Sequence, residues 1–139
     1  MTDSSSMLLI GIGTAGSAVA RGVSRAFGEG LRYVAADTDA TTGQAGGNFV
    51  LLGGDRLSGR GTGGDVVSGR LAADDSIDLL DEATDGVRLA VIVTALGGGT
   101  GGGATLEAAK RLRDRGTGGS DSKESAYNAG EPCWEDPLE

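Results

Sequence analysis

Histidine is absent from this chain of 139 residues. That removes the usual general base near neutral pH and the usual zinc ligand. The single cysteine, Cys133, excludes an internal disulfide, and no metal-ligand cluster surrounds it. No apolar run approaches the roughly 20 residues of a membrane-spanning helix, and no signal peptide is visible. Lysine is nearly missing: Lys110 and Lys123 stand beside ten arginines, and the formal net charge is −8. An acidic balance of this size opposes nonspecific binding to nucleic acid. The 27 glycines follow no collagen-like period. The length suits one domain with a modest core.

The glycines are concentrated at the ends of apolar segments. Val91-Ile92-Val93-Thr94-Ala95-Leu96 reads as a buried strand. It runs into Gly97-Gly98-Gly99-Thr100-Gly101-Gly102-Gly103 and then into the helix-like stretch 104–115. A strand, a glycine loop and a helix start in that order form a phosphate-binding device. Anions can approach the bare backbone, and the first helical turn offers unpaired N–H groups at the positive end of the dipole. Thr100 is the one hydroxyl in the run, suited to a phosphate oxygen or a metal-bound water. A flexible linker is the competing reading, disfavoured by the tight placement between strand and amphipathic helix.

A second such unit lies near the start. Met7-Leu8-Leu9-Ile10 reads as a strand, followed by Gly11-Ile12-Gly13-Thr14-Ala15-Gly16-Ser17 and a helix to Phe27. This is G-x-G-x-x-G between strand and helix, a pattern shared by several nucleotide folds and by plain tight turns.

The periodicity predicts strands over 7–12, 31–36, 49–52 and 87–96, and helices over 16–27, 66–83 and 104–115, with a loop at 53–64. Asp65 is the expected N-cap of the 66–83 helix, whose apolar face draws on Val66, Val67, Leu71, Ile77, Leu79 and Leu80. Alternating strands and helices predict an α/β fold, a Rossmann-like open sheet of mainly parallel strands with flanking helices. Ligands of such sheets bind at the carboxyl ends of the strands. Residues 1–6 read as a polar lead-in, 7–116 as the ordered domain, and 117–139 as a Gly/Ser-rich tail expected to be disordered, with a small apolar island at Pro132-Cys133-Trp134.

Four segments in order resemble the tubulin/FtsZ superfamily of GTP-binding, polymerising proteins. Gly97–Gly103 is similar to the signature G-G-G-T-G-[ST]-G, with Gly102 in place of the hydroxyl residue. Gly11–Ser17 resembles the first phosphate loop, often G-x-G-G-A-G-N, with Thr14 and Ser17 departing from Gly and Asn. Ala35–Ala40 is similar to A-A-N-T-D-A, with Asp37 replacing Asn. Leu57–Arg70 echoes L-T-R-G-L-G-A-G-x-N-P-x-x-G-R, most clearly at Gly61, Gly63, Gly69 and Arg70. The resemblance covers residues 7–115 and the amino-terminal half of the family's GTPase domain.

The resemblance implies a cytoplasmic cell-division or cytoskeletal protein that binds GTP or GDP with Mg²⁺. It implies nucleotide contacts from Gly11, Gly13, Thr14, Ala15, Gly16, Ser17, Asp37, Asp39, Gly61, Gly63 and Gly97 through Gly103. The family's water-activating Asn-x-Asp-x-x-Asp element has no match in this sequence, so the chain is expected to be a truncated form that binds phosphate without the hydrolytic carboxylates. Implied partners are guanine nucleotide and a full-length FtsZ/tubulin-like protein or a second copy of the chain, with no nucleic acid and no membrane insertion. The acidic, lysine-poor composition resembles that of haloarchaeal proteins. Two other readings stay open on the residues alone. One is a dinucleotide-binding domain, with Asp37 or Asp39 where a ribose-binding acid belongs. The other is a remnant that binds no nucleotide.

Overall fold

The computed structural model describes residues 7–28 and 31–116. Four strands, β1 (Met7–Ile12), β2 (Arg32–Asp37), β3 (Phe49–Leu51) and β4 (Leu89–Thr94), form one sheet in the order β3-β2-β1-β4. Every pairing is parallel; Leu9, for example, stands opposite Tyr33 of β2 and Val91 of β4. The chain leaves β1 toward β2 on one side and returns to β4 on the other. A crevice therefore opens at the carboxyl ends of β1 and β4, the point at which open α/β sheets take their ligands.

Side-chain alternation along β1 sorts the core into two layers. Leu8, Ile10 and Ile12 point into one cluster with Val34, Ala36 and Leu52. The helices α3 (Val66–Asp75), α4 (Ile77–Ala83) and α5 (Gly99–Asp114) close that cluster with Ala72, Ala73, Leu80, Ala104, Ala108 and Leu112. Helix α1 (Gly13–Phe27) covers the opposite face with its small residues Gly16, Ser17 and Ala20. That cover reaches only the carboxyl end of β4, and Leu89 and Val91 nearer its start stay 47% and 43% exposed.

Three glycines set how closely the helices approach. A methyl group at Gly11 would lie 2.7 Å from the carbonyl carbon of Gly16, and one at Gly16 would lie 3.1 Å from the Cα of Thr94. Helix α1 can rest on β1 and β4 only because both side chains are missing. At the α3–α5 crossing, a methyl at Gly69 would lie 2.9 Å from the carbonyl carbon of Gly99.

The elements differ from the sequence expectations in instructive ways. Helix α1 starts at Gly13 and α5 at Gly99, so each glycine loop is largely the first turn of its helix. The 53–64 segment contains a single helical turn, α2 (Gly54–Leu57). The expected 66–83 helix is two helices broken at Ser76, whose φ and ψ of −109° and 19° leave the helical region. The Ser76 hydroxyl instead accepts the Gly53 N–H at 2.7 Å. Val66, Val67 and Leu79, expected on the buried face, are exposed. The buried face of α3 is made of Gly69, Ala72 and Ala73, because a close crossing leaves room only for small residues. The tail at 117–139 and the lead-in at 1–6 lie outside the described residues.

Candidate nucleotide site

The N-termini of α1 and α5 point into one cleft of about 380 Å³. Gly13, Thr14 and Ala15 line it from one side, Gly98 through Gly101 from another. The two helix starts are close: a methyl on Gly13 would lie 3.4 Å from the Gly101 nitrogen. Neither helix has a side-chain cap or an acidic residue in its first turn. Their leading N–H groups therefore lack side-chain acceptors and two positive dipole ends converge. Gly13, at φ 79°, makes the sharp entry into α1 that a residue with a Cβ resists.

The third wall is the 59–64 loop, which the end of β2 holds in place. Gly59 O accepts the Ala40 N–H at 2.9 Å, and the Gly61 N–H donates to Thr38 O at 3.1 Å. Asp39 and Arg60 pair as an isolated antiparallel bridge. Arg60, Gly61, Thr62, Gly63 and Gly64 then pass along the cleft. The loop also lies on the start of α5, since a methyl at Gly99 would come within 2.6 Å of the Asp65 nitrogen.

Asp37, 2% exposed, is the acidic centre of the floor. Its Oδ1 accepts the Thr38 N–H at 2.8 Å, and its Oδ2 accepts the hydroxyls of Thr14 and Thr42 at 3.0 and 2.6 Å. Asp39 caps the 3₁₀ helix Ala40–Ala45, taking the N–H and hydroxyl of Thr41 on Oδ1. The Thr41 hydroxyl, and then its N–H, hold the Asp39 carboxyl below its ordinary value. Both carboxylates are therefore engaged within the protein. Thr38 and Thr100 share a hydrogen bond between their hydroxyls across the cleft floor.

The expected site residues divide into two groups. Gly13, Thr14, Ala15, Asp37, Asp39, Gly61, Gly63, Gly98, Gly99, Thr100 and Gly101 line the cleft. Gly11, Gly16, Ser17, Gly97, Gly102 and Gly103 do not. Gly11 and Gly16 join α1 to the sheet, and Ser17 is buried with its hydroxyl on Gly11 O. Gly103 faces α3, where a methyl would lie 2.6 Å from the Arg70 nitrogen, and Gly102 lies beside Val66. Gly97 has open space around it and stands outside the lining. The sequence reading missed Thr38, Arg60, Thr62 and Gly64. Their signal was present, since Thr38 stands between the two aspartates and the other three flank Gly61 and Gly63.

A parallel α/β sheet with two uncapped helix starts at its switch point defines a phosphate-cradling nucleotide fold. Residues 6–118 match the family model described as Tubulin/FtsZ family, GTPase domain, and the chain belongs to that family. The cell division protein FtsZ of Caulobacter vibrioides (strain NA1000 / CB15N) is 34% identical over 112 residues, 79% of this chain and 22% of that protein. FtsZ of Mycoplasmopsis pulmonis (strain UAB CTIP) is 33% identical over 110 residues, 78% of this chain and 28% of that protein. The chain thus spans about a quarter of the length of these relatives. Among solved structures, an empty FtsZ dimer from M. jannaschii superposes with a TM-score of 0.75 at 28% identity, over 79% of this chain and 33% of the other. A GTPγS-bound protofilament of CetZ2 from Haloferax volcanii gives 0.70 at 33% identity, over 78% and 36%.

Proposed function

We propose that this chain binds the phosphates of a guanine nucleotide, GTP or GDP, in the cleft between the starts of α1 and α5. The convergence of two uncapped helix N-termini on one glycine-lined cleft carries the reading. The donors that fit phosphate oxygens are main-chain N–H groups of Gly13 through Ala15 and Gly99 through Gly101. Gly61 and Gly63 let the third wall pass close to the ligand. Asp37 and Asp39 shape the floor, where their oxygens accept hydrogen bonds from threonines. Their negative charge fits a Mg²⁺ accompanying the nucleotide, which would offset phosphate charge.

A dinucleotide reading puts an acid on a ribose hydroxyl; Asp37 is buried and takes three hydrogen bonds, whereas Asp39 keeps its Oδ2 open, so the titration includes NAD. The sequence has no Asn-x-Asp-x-x-Asp element, so binding proceeds here without steady hydrolysis by this chain alone. The M. jannaschii FtsZ dimer and the CetZ2 protofilament motivate a role beside a full-length FtsZ- or tubulin-like protein or a second copy, in cell division or the cytoskeleton.

The test is calorimetric titration of purified, monodisperse protein with GTP, GDP, ATP and NAD. Guanine nucleotides should bind most tightly, with GTP left intact. Preference for NAD would overturn the reading, and steady GTP turnover by protein free of contaminating GTPase would overturn the absence of hydrolysis by this chain alone.

A further inference from the structure

Helix α1 and strand β4 leave an apolar face open on the side of the sheet away from α3 and α5. Among the described residues β4 pairs with β1 alone, so its outer edge is open. Leu89 stands opposite Met7 and Val91 opposite Leu9, which puts both on the α1 side of the sheet. Gly16 rests on the carboxyl end of β4, and Val23 and Phe27 continue its stripe along α1, which runs back against the strand direction. Phe27 lies about 16 Å along the helix from Gly16, and Leu89 about 13 Å along the strand from Val93, so the two come level. Phe27 is 76% exposed.

The chain leaves the described residues close to this face. Arg115, next to Gly116, donates from Nη1 to Asp81 O at 3.1 Å and to the Thr84 hydroxyl at 3.0 Å. Thr84 opens the turn that passes through Val87 into β4. The sequence beyond Gly116 is thus tethered beside the amino end of β4. From Gly116 to Trp134 it can reach about 60 Å, against about 20 Å for the whole of β4. Pro132-Cys133-Trp134 is the main apolar group in a segment that carries six acidic residues and one lysine. Glu131, Glu135 and Asp136 surround that group, and Arg88 is exposed at the start of β4. Pro132 and Pro137 have no N–H to give to a ladder, which favours side-chain packing on the face over a fifth strand.

We propose that the Pro132–Trp134 segment folds back onto the β4–α1 face of its own chain, with the Trp134 indole packed among Phe27, Leu89 and Val91. An indole covers roughly 150–250 Å², enough to span these three side chains. So placed, it shields an apolar edge strand from pairing with another chain.

Trp134 is the only tryptophan in the chain, so its fluorescence reads the contact directly. In the native wild type it should emit to the blue of the urea-unfolded chain and be quenched severalfold less by acrylamide, at every protein concentration. Phe27→Ser and Val91→Lys, both at exposed positions, should move emission and quenching to the unfolded values, with circular dichroism checking that each variant is folded. Leu79→Lys, in the groove between α4 and β3, should change neither. If Val91→Lys fails to fold, Phe27→Ser carries the test. Wild-type emission and quenching equal to those of the unfolded chain overturn the proposal. So does a blue-shifted Trp134 that is indifferent to Phe27→Ser and Val91→Lys, or one that responds to Leu79→Lys instead. A blue shift lost on dilution identifies a second copy as the source of the segment and overturns the contact within one chain.

Discussion

The hydroxyls of Thr38 and Thr100 lie 2.6 Å apart, although 62 residues separate them in the chain. Thr38 immediately follows β2 and Thr100 stands in the first turn of α5, so this bond ties the end of one strand to the helix that follows another. Both residues are buried. Thr100→Val should leave the Thr38 hydroxyl without this partner, at a cost of roughly 1–3 kcal/mol. Replacing both with Val removes the pair together, so the double variant should lose less than the sum of the two single losses. Urea unfolding of the four proteins measures this. Additive losses would show that the two hydroxyls are not coupled.

The strands were legible because apolar, β-branched runs announce themselves. Residues 7–12 were read as Met7–Ile12 is found, and 31–36 lies one residue from Arg32–Asp37. The helix starts were less legible. The run 99–103 has poor helix propensity and reads as a loop, yet it is helical, with the 62–65 loop packed on Gly99, the end of β4 on Gly101 and α3 on Gly103, where side chains would otherwise stand. Propensity is a local quantity, and the Gly69–Gly99 approach is not. The break at Ser76 escaped for the same reason, since its cause is the distant Gly53 N–H. That a helix follows each glycine-rich segment at the cleft was legible from order along the chain; the residue at which each begins was not. The role of Arg60 and Thr62 depends on the bridge to Asp39, which no local pattern announces.

The same geometry separates two glycines that looked alike. Gly98 lines the cleft with nothing within reach of an added methyl, and its φ of −104° and ψ of 159° suit any residue. Gly98→Val should fold normally and bind guanine nucleotide at least about tenfold more weakly. A methyl at Gly99 would press on the Asp65 nitrogen at 2.6 Å, so Gly99→Val should lower the unfolding midpoint whether or not nucleotide is present. Unfolding scans and titrations of both variants test this. A Gly98→Val protein with wild-type affinity would place the ligand elsewhere.

Asp81 anchors α4 to the end of α5. Its carboxylate accepts from Arg111 Nε at 2.8 Å and lies 3.4 Å from Arg115 Nη1. The Arg111 hydrogen bond holds the Asp81 carboxyl below its ordinary value. A carboxyl depressed by folding contributes stability above its unfolded pKa of about 3.9 and loses it as pH falls through the lower folded value. Asp81→Asn should therefore unfold at a lower temperature than the wild type at pH 7, and the gap should narrow as pH falls below the ordinary carboxylate value of about 3.9. Melting curves across this range decide it. A gap that does not change with pH would mean that Asp81 acts through packing alone.

Salt acts on this chain in two opposing directions. Screening weakens the exposed ion pairs, such as Arg56–Asp75 and Lys110–Glu107, but each exposed pair contributes only about 0–1 kcal/mol. Screening also relieves repulsion among 20 acidic side chains opposed by 12 basic ones. That repulsion is summed over the whole surface, and the Debye length falls from about 10 Å at 0.1 M to about 3 Å at 1 M. The relief should outweigh the lost pairs, so the unfolding midpoint should rise from low to molar KCl. Excluded salts stabilise folded proteins in general, and sulfate does so more strongly than chloride. Matching the rise in KCl against that in K₂SO₄ at equal ionic strength separates the two causes. Charge screening should give nearly equal rises, whereas a much larger rise in sulfate would identify exclusion as the cause. A midpoint that stays level or falls in KCl would show that the acidic surface is not adapted to high salt.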